Sequence, residues 1–122
     1  MKNILIVDDD SGIGEMLKML LEMNAYEVWV TQHPKETETH IKKYQIEMIL
    51  LDMLISGTNG TDVCERLREN EDPQISGVKI LMMSALHDAD KKCKAAGAND
   101  FIAKPFETSD LLRKIESLKV HP

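Results

Sequence analysis

Apolar positions fall into two kinds of block along the chain. Asn3-Ile-Leu-Ile-Val7 is a short continuous apolar run. After it, Ile13, Met16, Leu17, Leu20 and Leu21 recur at i, i+3, i+4, i+7 and i+8, which is one face of a helix. Residues 26–30 alternate and are rich in β-formers, so they predict a strand. Residues 33–44 predict a helix whose main apolar anchor is Ile41, and 46–51 predict a strand. The helix predicted over 60–69 is anchored by Val63 and Leu67, with Pro73 beyond its end. A strand over 78–83 precedes a helix over 88–96, whose buried stripe is thin (Ala89, Cys93, Ala96) and whose stop is Gly97. Residues 100–103 form the last strand. The last helix, 109–118, carries Leu111, Leu112, Ile115 and Leu118.

The order is (βα)₅. Strands that read as near-continuous apolar runs are buried on both faces, which predicts an α/β fold with a parallel sheet covered by helices. Right-handed crossovers put those helices on both sides, giving three layers. With 122 residues and no repeat, linker or low-complexity segment, the expectation is one domain over 1–122, with no effector domain.

Composition narrows the function classes. Fifteen basic and twenty-one acidic side chains give a net charge of −6, against a nucleic-acid backbone or anionic membrane as main partner. No apolar run reaches the roughly 20 residues that span a bilayer, and the N-terminal run is too short for a signal peptide, so the expected location is cytoplasmic. Cys64 and Cys93 lie far apart in helical segments, and His33, His40, His87 and His121 form no ligand pattern with them. Buried free thiols are expected rather than zinc or a disulfide.

In an open parallel sheet, ligands bind beyond the carboxyl ends of the strands. Those ends carry Asp8-Asp9-Asp10, Asp52, Ser84-Ala85 and Lys104-Pro105. Asp52 stands out because it closes the apolar run Met48-Ile-Leu-Leu51. Asp10 is best placed to cap the helix starting near Ser11. Asp8, Asp9 and Asp52 crowd one edge, where their repulsion calls for a divalent cation, and an all-oxygen set suits Mg²⁺, with Mn²⁺ as a substitute. Lys104 faces these acids and Ser84 adds a hydroxyl, although a surface lysine and a turn serine are the plain alternatives. Together they make a phosphoryl-transfer site, with Asp52 as nucleophile, Lys104 and the cation neutralising phosphoryl oxygens, and Ser84 donating a hydrogen bond.

The stretches "ILIVDDD", "MILLDMLISGTNG", "ILMMSA" and "GANDFIAKPF", in this order and spacing, resemble the receiver domain of two-component response regulators over essentially the whole chain. The resemblance implies a flavodoxin-like sheet of order 2-1-3-4-5. It implies that Asp52 accepts a phosphoryl group from a sensor histidine kinase or a histidine phosphotransfer protein. Asp8, Asp9, Asp52 and the backbone carbonyl of Leu54 would hold the metal. Lys104 would pair with the phosphoryl group across a cis bond to Pro105. Ser84 and Phe101 would act as switch residues that alter the surface of the fourth helix, fifth strand and fifth helix, toward a downstream protein target the sequence does not name. A monomer or weak phosphorylation-dependent dimer is implied. The chain departs from the family at Ile55-Ser56-Gly57, where Met-Pro-Gly is usual, and at Leu54 and Leu86, apolar where relatives often carry polar groups beside the path of attacking water.

Three other readings compete. An FMN carrier would need hydroxyls and free N–H groups after the first strand, where this chain puts three aspartates. An aspartate-nucleophile phosphatase would need a second acid at position 54, which is leucine, so turnover on an external ester is not expected. A receiver-like protein-binding module working without phosphorylation is the runner-up.

Overall fold

A computed structural model describes residues 2–55, 57–86 and 89–120. Strand β1 (Asn3–Val7) leads to helix α1 (Ser11–Glu22) and strand β2 (Glu27–Thr31). A 3₁₀ turn (Pro34–Glu36) opens into α2 (Thr37–Tyr44), followed by β3 (Met48–Asp52). A small hairpin, Leu54–Ile55 against Thr58–Asn59, intervenes before α3 (Gly60–Arg68). One helical turn (Pro73–Ser76) precedes β4 (Lys79–Ser84), α4 (Ala89–Ala95), β5 (Asp100–Ala103) and α5 (Thr108–Val120). Among the described residues, no helix is long and apolar enough to cross a membrane.

The five long strands form one parallel sheet, β2-β1-β3-β4-β5, which is the predicted order 2-1-3-4-5. Successive side chains of a strand point to opposite faces, so each apolar run fills two cores. Leu5, Val7, Ile49, Leu51, Ile80 and Met82 pack with Ile41, Val63, Leu67 and Cys93 on one side. Ile4, Ile6, Met48, Leu50, Leu81 and Met83 pack with Leu17, Leu21, Leu111 and Ile115 on the other. The central strands are therefore sealed on both faces, and their polar chemistry is confined to their ends.

Several predicted boundaries shift. Tyr26 stands before β2, and its phenol donates to Glu116 Oε1 at 2.9 Å. The first residues of the predicted second helix form the 3₁₀ turn, because Pro34 lacks an N–H and starts a tight turn more readily than it continues one. Met16 is 56% exposed rather than packed, since Gly14, Leu17 and Leu21 set the inward stripe and Met16 falls on its flank. Asp88, the predicted start of the fourth helix, and Ser56, His87 and His121 lie outside the described residues. The thin stripe of α4 is as predicted: Ala89, Cys93 and the following Ala96 are buried. Both cysteines are free and buried, and burial pushes the Cys64 thiol up to about 11, which disfavours a metal-binding thiolate.

Candidate functional site: an acidic pocket at the strand ends

The sheet ladder carries four strand ends to one edge. Asp8 follows β1, and its N–H still donates to Thr31 O of β2 at 3.1 Å. Asp52 closes β3 opposite Met83, and the Met53 N–H donates to Met83 O at 2.9 Å. Ser84 closes β4, and the Lys104 N–H donates to Ser84 O at 2.7 Å. Parallel register thus fixes where each side chain leaves the core.

Asp8, Asp9 and Asp52 each present a carboxylate oxygen, and these oxygens lie within 4.8 Å of one another. Lys104 Nζ lies 3.1 Å from Asp52 Oδ2 and 3.6 Å from Asp8 Oδ2. Asp8 is fully buried. Its Oδ1 accepts from the Asp10 N–H at 2.9 Å, but Oδ2 has no hydrogen-bond partner among the described residues. Burial is the largest influence on this carboxyl and pushes it above its ordinary value; Asp52 adds to that, while the Asp10 N–H and Lys104 oppose it. A buried oxygen left unsatisfied beside two more carboxylates fits a hard divalent cation such as Mg²⁺. Asp10, by contrast, caps α1, its Oδ1 accepting from Gly12 N–H at 3.0 Å and Ile13 N–H at 3.2 Å.

Of the remaining predicted residues, Leu54 and Ser84 border this centre, whereas Phe101 does not line its cavity. Asp52 Oδ1 accepts from the Leu54 N–H at 3.4 Å. Ser84 is buried, and its Oγ accepts from the Leu86 N–H at 3.0 Å, which leaves its own O–H free to donate. The Lys104–Pro105 peptide bond is cis. Phe101 is half-buried against the core on the α2–α4 side. Asp52, Ser84 and Lys104 share a cavity of about 460 Å³ with Asn59, Thr61 and Lys92, and with the exposed Leu54 and Leu86 at its rim.

Two contributors escape sequence reasoning. The hairpin after Ile55 sets the path of the chain leaving Asp52, and its two-residue strands are too short to leave a periodic signal. Gly60 packs on the backbone behind Asp52: a Cβ there would sit 2.4 Å from Asp52 O and 2.8 Å from Met53 Cα. A glycine opening a helix, where it is a poor former, is the one hint the sequence holds.

Against known families, residues 4–116 match the response regulator receiver domain. The chain belongs to that family. Among curated relatives, it is 33% identical over 119 residues to the phosphate regulon transcriptional regulatory protein PhoB of Pseudomonas aeruginosa, covering 96% of this chain and 51% of that one. It is 32% identical over 118 residues to the DNA-binding response regulator MtrA of Mycobacterium tuberculosis, covering 95% and 50%. The chain spans about half the length of the curated relatives it matches. Among solved structures, a CheY-like response regulator receiver domain protein from Methanospirillum hungatei superposes with a TM-score of 0.84 at 30% identity, covering 97% of this chain and 93% of that one. The chemotaxis response regulator CheY4 of Vibrio cholerae gives 0.85 at 25%, covering 97% and 98%. The family match and the backbone superpositions agree on the same receiver fold.

Proposed function

We propose that this receiver domain takes a phosphoryl group onto Asp52 from the phosphohistidine of a sensor histidine kinase or histidine phosphotransfer protein. The observation that carries the reading is the convergence of the Asp8, Asp9 and Asp52 oxygens within 4.8 Å, with the Lys104 ammonium 3.1 Å from Asp52. An Asp52 carboxylate oxygen attacks phosphorus, the P–N bond of the donor breaks, and the imidazole leaves with its electron pair and takes up a proton. Lys104 holds the Asp52 side chain and meets charge on the transferring group. Ser84 turns its free O–H toward a phosphoryl oxygen. Asp8, Asp9, Asp52 and the Leu54 carbonyl would hold Mg²⁺, which supplies charge neutralisation on the phosphoryl oxygens when bound.

Phosphorylation then biases a two-state element. Movement of Ser84 toward the new group opens space that Phe101 fills, and the surface of α4, β5 and α5 changes for a downstream protein target. PhoB is by name a transcriptional regulatory protein and MtrA a DNA-binding response regulator, and each is about twice as long as this chain. A net charge of −6 favours a protein target over direct contact between these residues and nucleic acid. A cytoplasmic location accords with a kinase partner.

Intact-mass spectrometry after acetyl phosphate and Mg²⁺ tests the reading. The expected result is one added phosphoryl group, lost in Asp52→Asn and in chelator. No adduct, with Mg²⁺ binding demonstrated separately, would favour a protein-binding module that works without phosphorylation.

A further inference from the structure

The phosphoryl-accepting cavity has a second cation in its wall. Lys92, on α4, borders the same space as Asp52, Ser84 and Lys104. Lys92 is exposed, and among the described residues its ammonium has no hydrogen-bond or ion-pair partner. Lys104, by contrast, already bridges Asp52 and Asp8. The helix carrying Lys92 is held to the core mainly through Ala89 and Cys93, small side chains that bury little area. Such a helix moves at low cost.

We infer that Lys92 is a positioning residue that couples the phosphoryl group on Asp52 to α4. The inference rests on the phosphoacceptor reading of Asp52. A phosphoryl group brings about two negative charges and three acceptor oxygens to the cavity. Against that group and the Asp8 and Asp9 carboxylates, a bound Mg²⁺ and Lys104 would supply three positive charges, so about one negative charge stays unmatched. Lys92 reaches the cavity on a flexible four-carbon stem and supplies a further positive charge. Forming that pair draws α4 toward the strand ends and orders it. Before phosphorylation the same side chain stays in solvent and holds nothing in place. Lys91 and Lys94 lie on the same helix but do not border the cavity, so they share the charge of Lys92 and not its placement.

Amide hydrogen exchange over 89–95 tests this on the whole chain, with and without Mg²⁺ and beryllium fluoride as phosphoryl mimic. Wild type, Lys92→Gln, Lys92→Arg and Lys91→Gln are compared, each checked for acetyl-phosphate uptake by intact mass. The mimic should slow α4 exchange in wild type, Lys92→Arg and Lys91→Gln. Lys92→Gln should lose roughly two- to fivefold of that slowing, the range an ion pair near the surface supports. It should still take up one phosphoryl group. Equal slowing in Lys92→Gln and wild type, with uptake intact in both, overturns the role of Lys92 alone. Failure of wild type to take up a phosphoryl group overturns the Asp52 reading and this inference with it.

Discussion

The two ends of the sheet both bury charge, and they treat it in opposite ways. At the amino ends of β4 and β5, the Arg68 guanidinium at the close of α3 is half-buried. It donates to Gly97 O at 2.7 Å, Ser76 O at 2.8 Å, Val78 O at 2.6 Å and Asn99 Oδ1 at 2.8 Å. At the carboxyl ends, Asp8 is fully buried with one oxygen lacking a hydrogen bond among the described residues, and its cation is 3.6 Å away and shared with Asp52. Burial acts on both groups, pulling the Arg68 guanidinium down and pushing the Asp8 carboxyl up. Only Arg68 has that penalty offset by partners on four of its five N–H donors. The Arg68 charge is nearly saturated, whereas the Asp8 charge, which the proposed function assigns to chemistry, is left incomplete.

That contrast predicts opposite signs for mutations at the two ends. Arg68→Ala should cost about 3 kcal/mol in urea denaturation, because three carbonyls lose this donor at once and Asn99 Oδ1 is left with the Ile80 N–H alone. Arg68→Lys should recover only part of this, since an ammonium cannot make the planar fork. A loss under about 0.5 kcal/mol for Arg68→Ala would collapse the distinction. Gly97→Ala should cost about 1–2 kcal/mol, since φ is +108° and the new Cβ would lie 2.6 Å from Arg68 Cγ.

Asp8→Asn should instead stabilise the metal-free protein at neutral pH. A carboxyl raised in the folded state binds its proton more tightly there than in the unfolded chain. Its stabilising contribution is therefore full below the ordinary value of 3.8 and is lost as pH rises through the raised one. Asparagine removes that loss, so wild type and variant should converge in stability as pH falls and separate as it rises. Added Mg²⁺ should reverse the order near pH 7, since a cation bound to the native state raises wild-type stability by mass action and the variant lacks one ligand. A thermal-melt series across pH, with and without Mg²⁺, reads both effects. Destabilisation by Asp8→Asn in chelator would sink the idea that this end is electrostatically incomplete.

The saturated end was the harder one to foresee. Continuous apolar runs such as Met48 to Leu51 announce a two-sided strand, and an aspartate closing one is conspicuous in the sequence. That is why the parallel sheet and the positions of Asp8, Asp52, Ser84 and Lys104 were legible, whereas the strand order came from the resemblance to receiver domains. Arg68 binds backbone carbonyls and a single amide oxygen, and carbonyls are present at every residue, so no pattern marks the ones it reaches. The contact of Gly60 with the Asp52 backbone is equally silent, being a matter of space rather than polarity. Lys92 reads as one more surface lysine until the cavity it borders is seen.

The contrast can be sharpened inside the run Asp8-Asp9-Asp10 itself. Asp10 sits at the incomplete end of the sheet but belongs by its bonding to the saturated class, since its Oδ1 accepts two N–H groups of α1. Asp10→Ala should therefore cost about 1 kcal/mol, the usual value of an N-cap, and Asp10→Asn close to nothing, because asparagine caps equally well. Both variants should keep the rise in stability with Mg²⁺ that Asp8→Asn loses. If Asp10→Asn abolished that rise, the cap would also be a ligand, and three adjacent carboxylates would have to be treated as one site. If it does not, two neighbouring aspartates of the same strand end serve separate purposes, and what separates them is which oxygens the backbone has already satisfied.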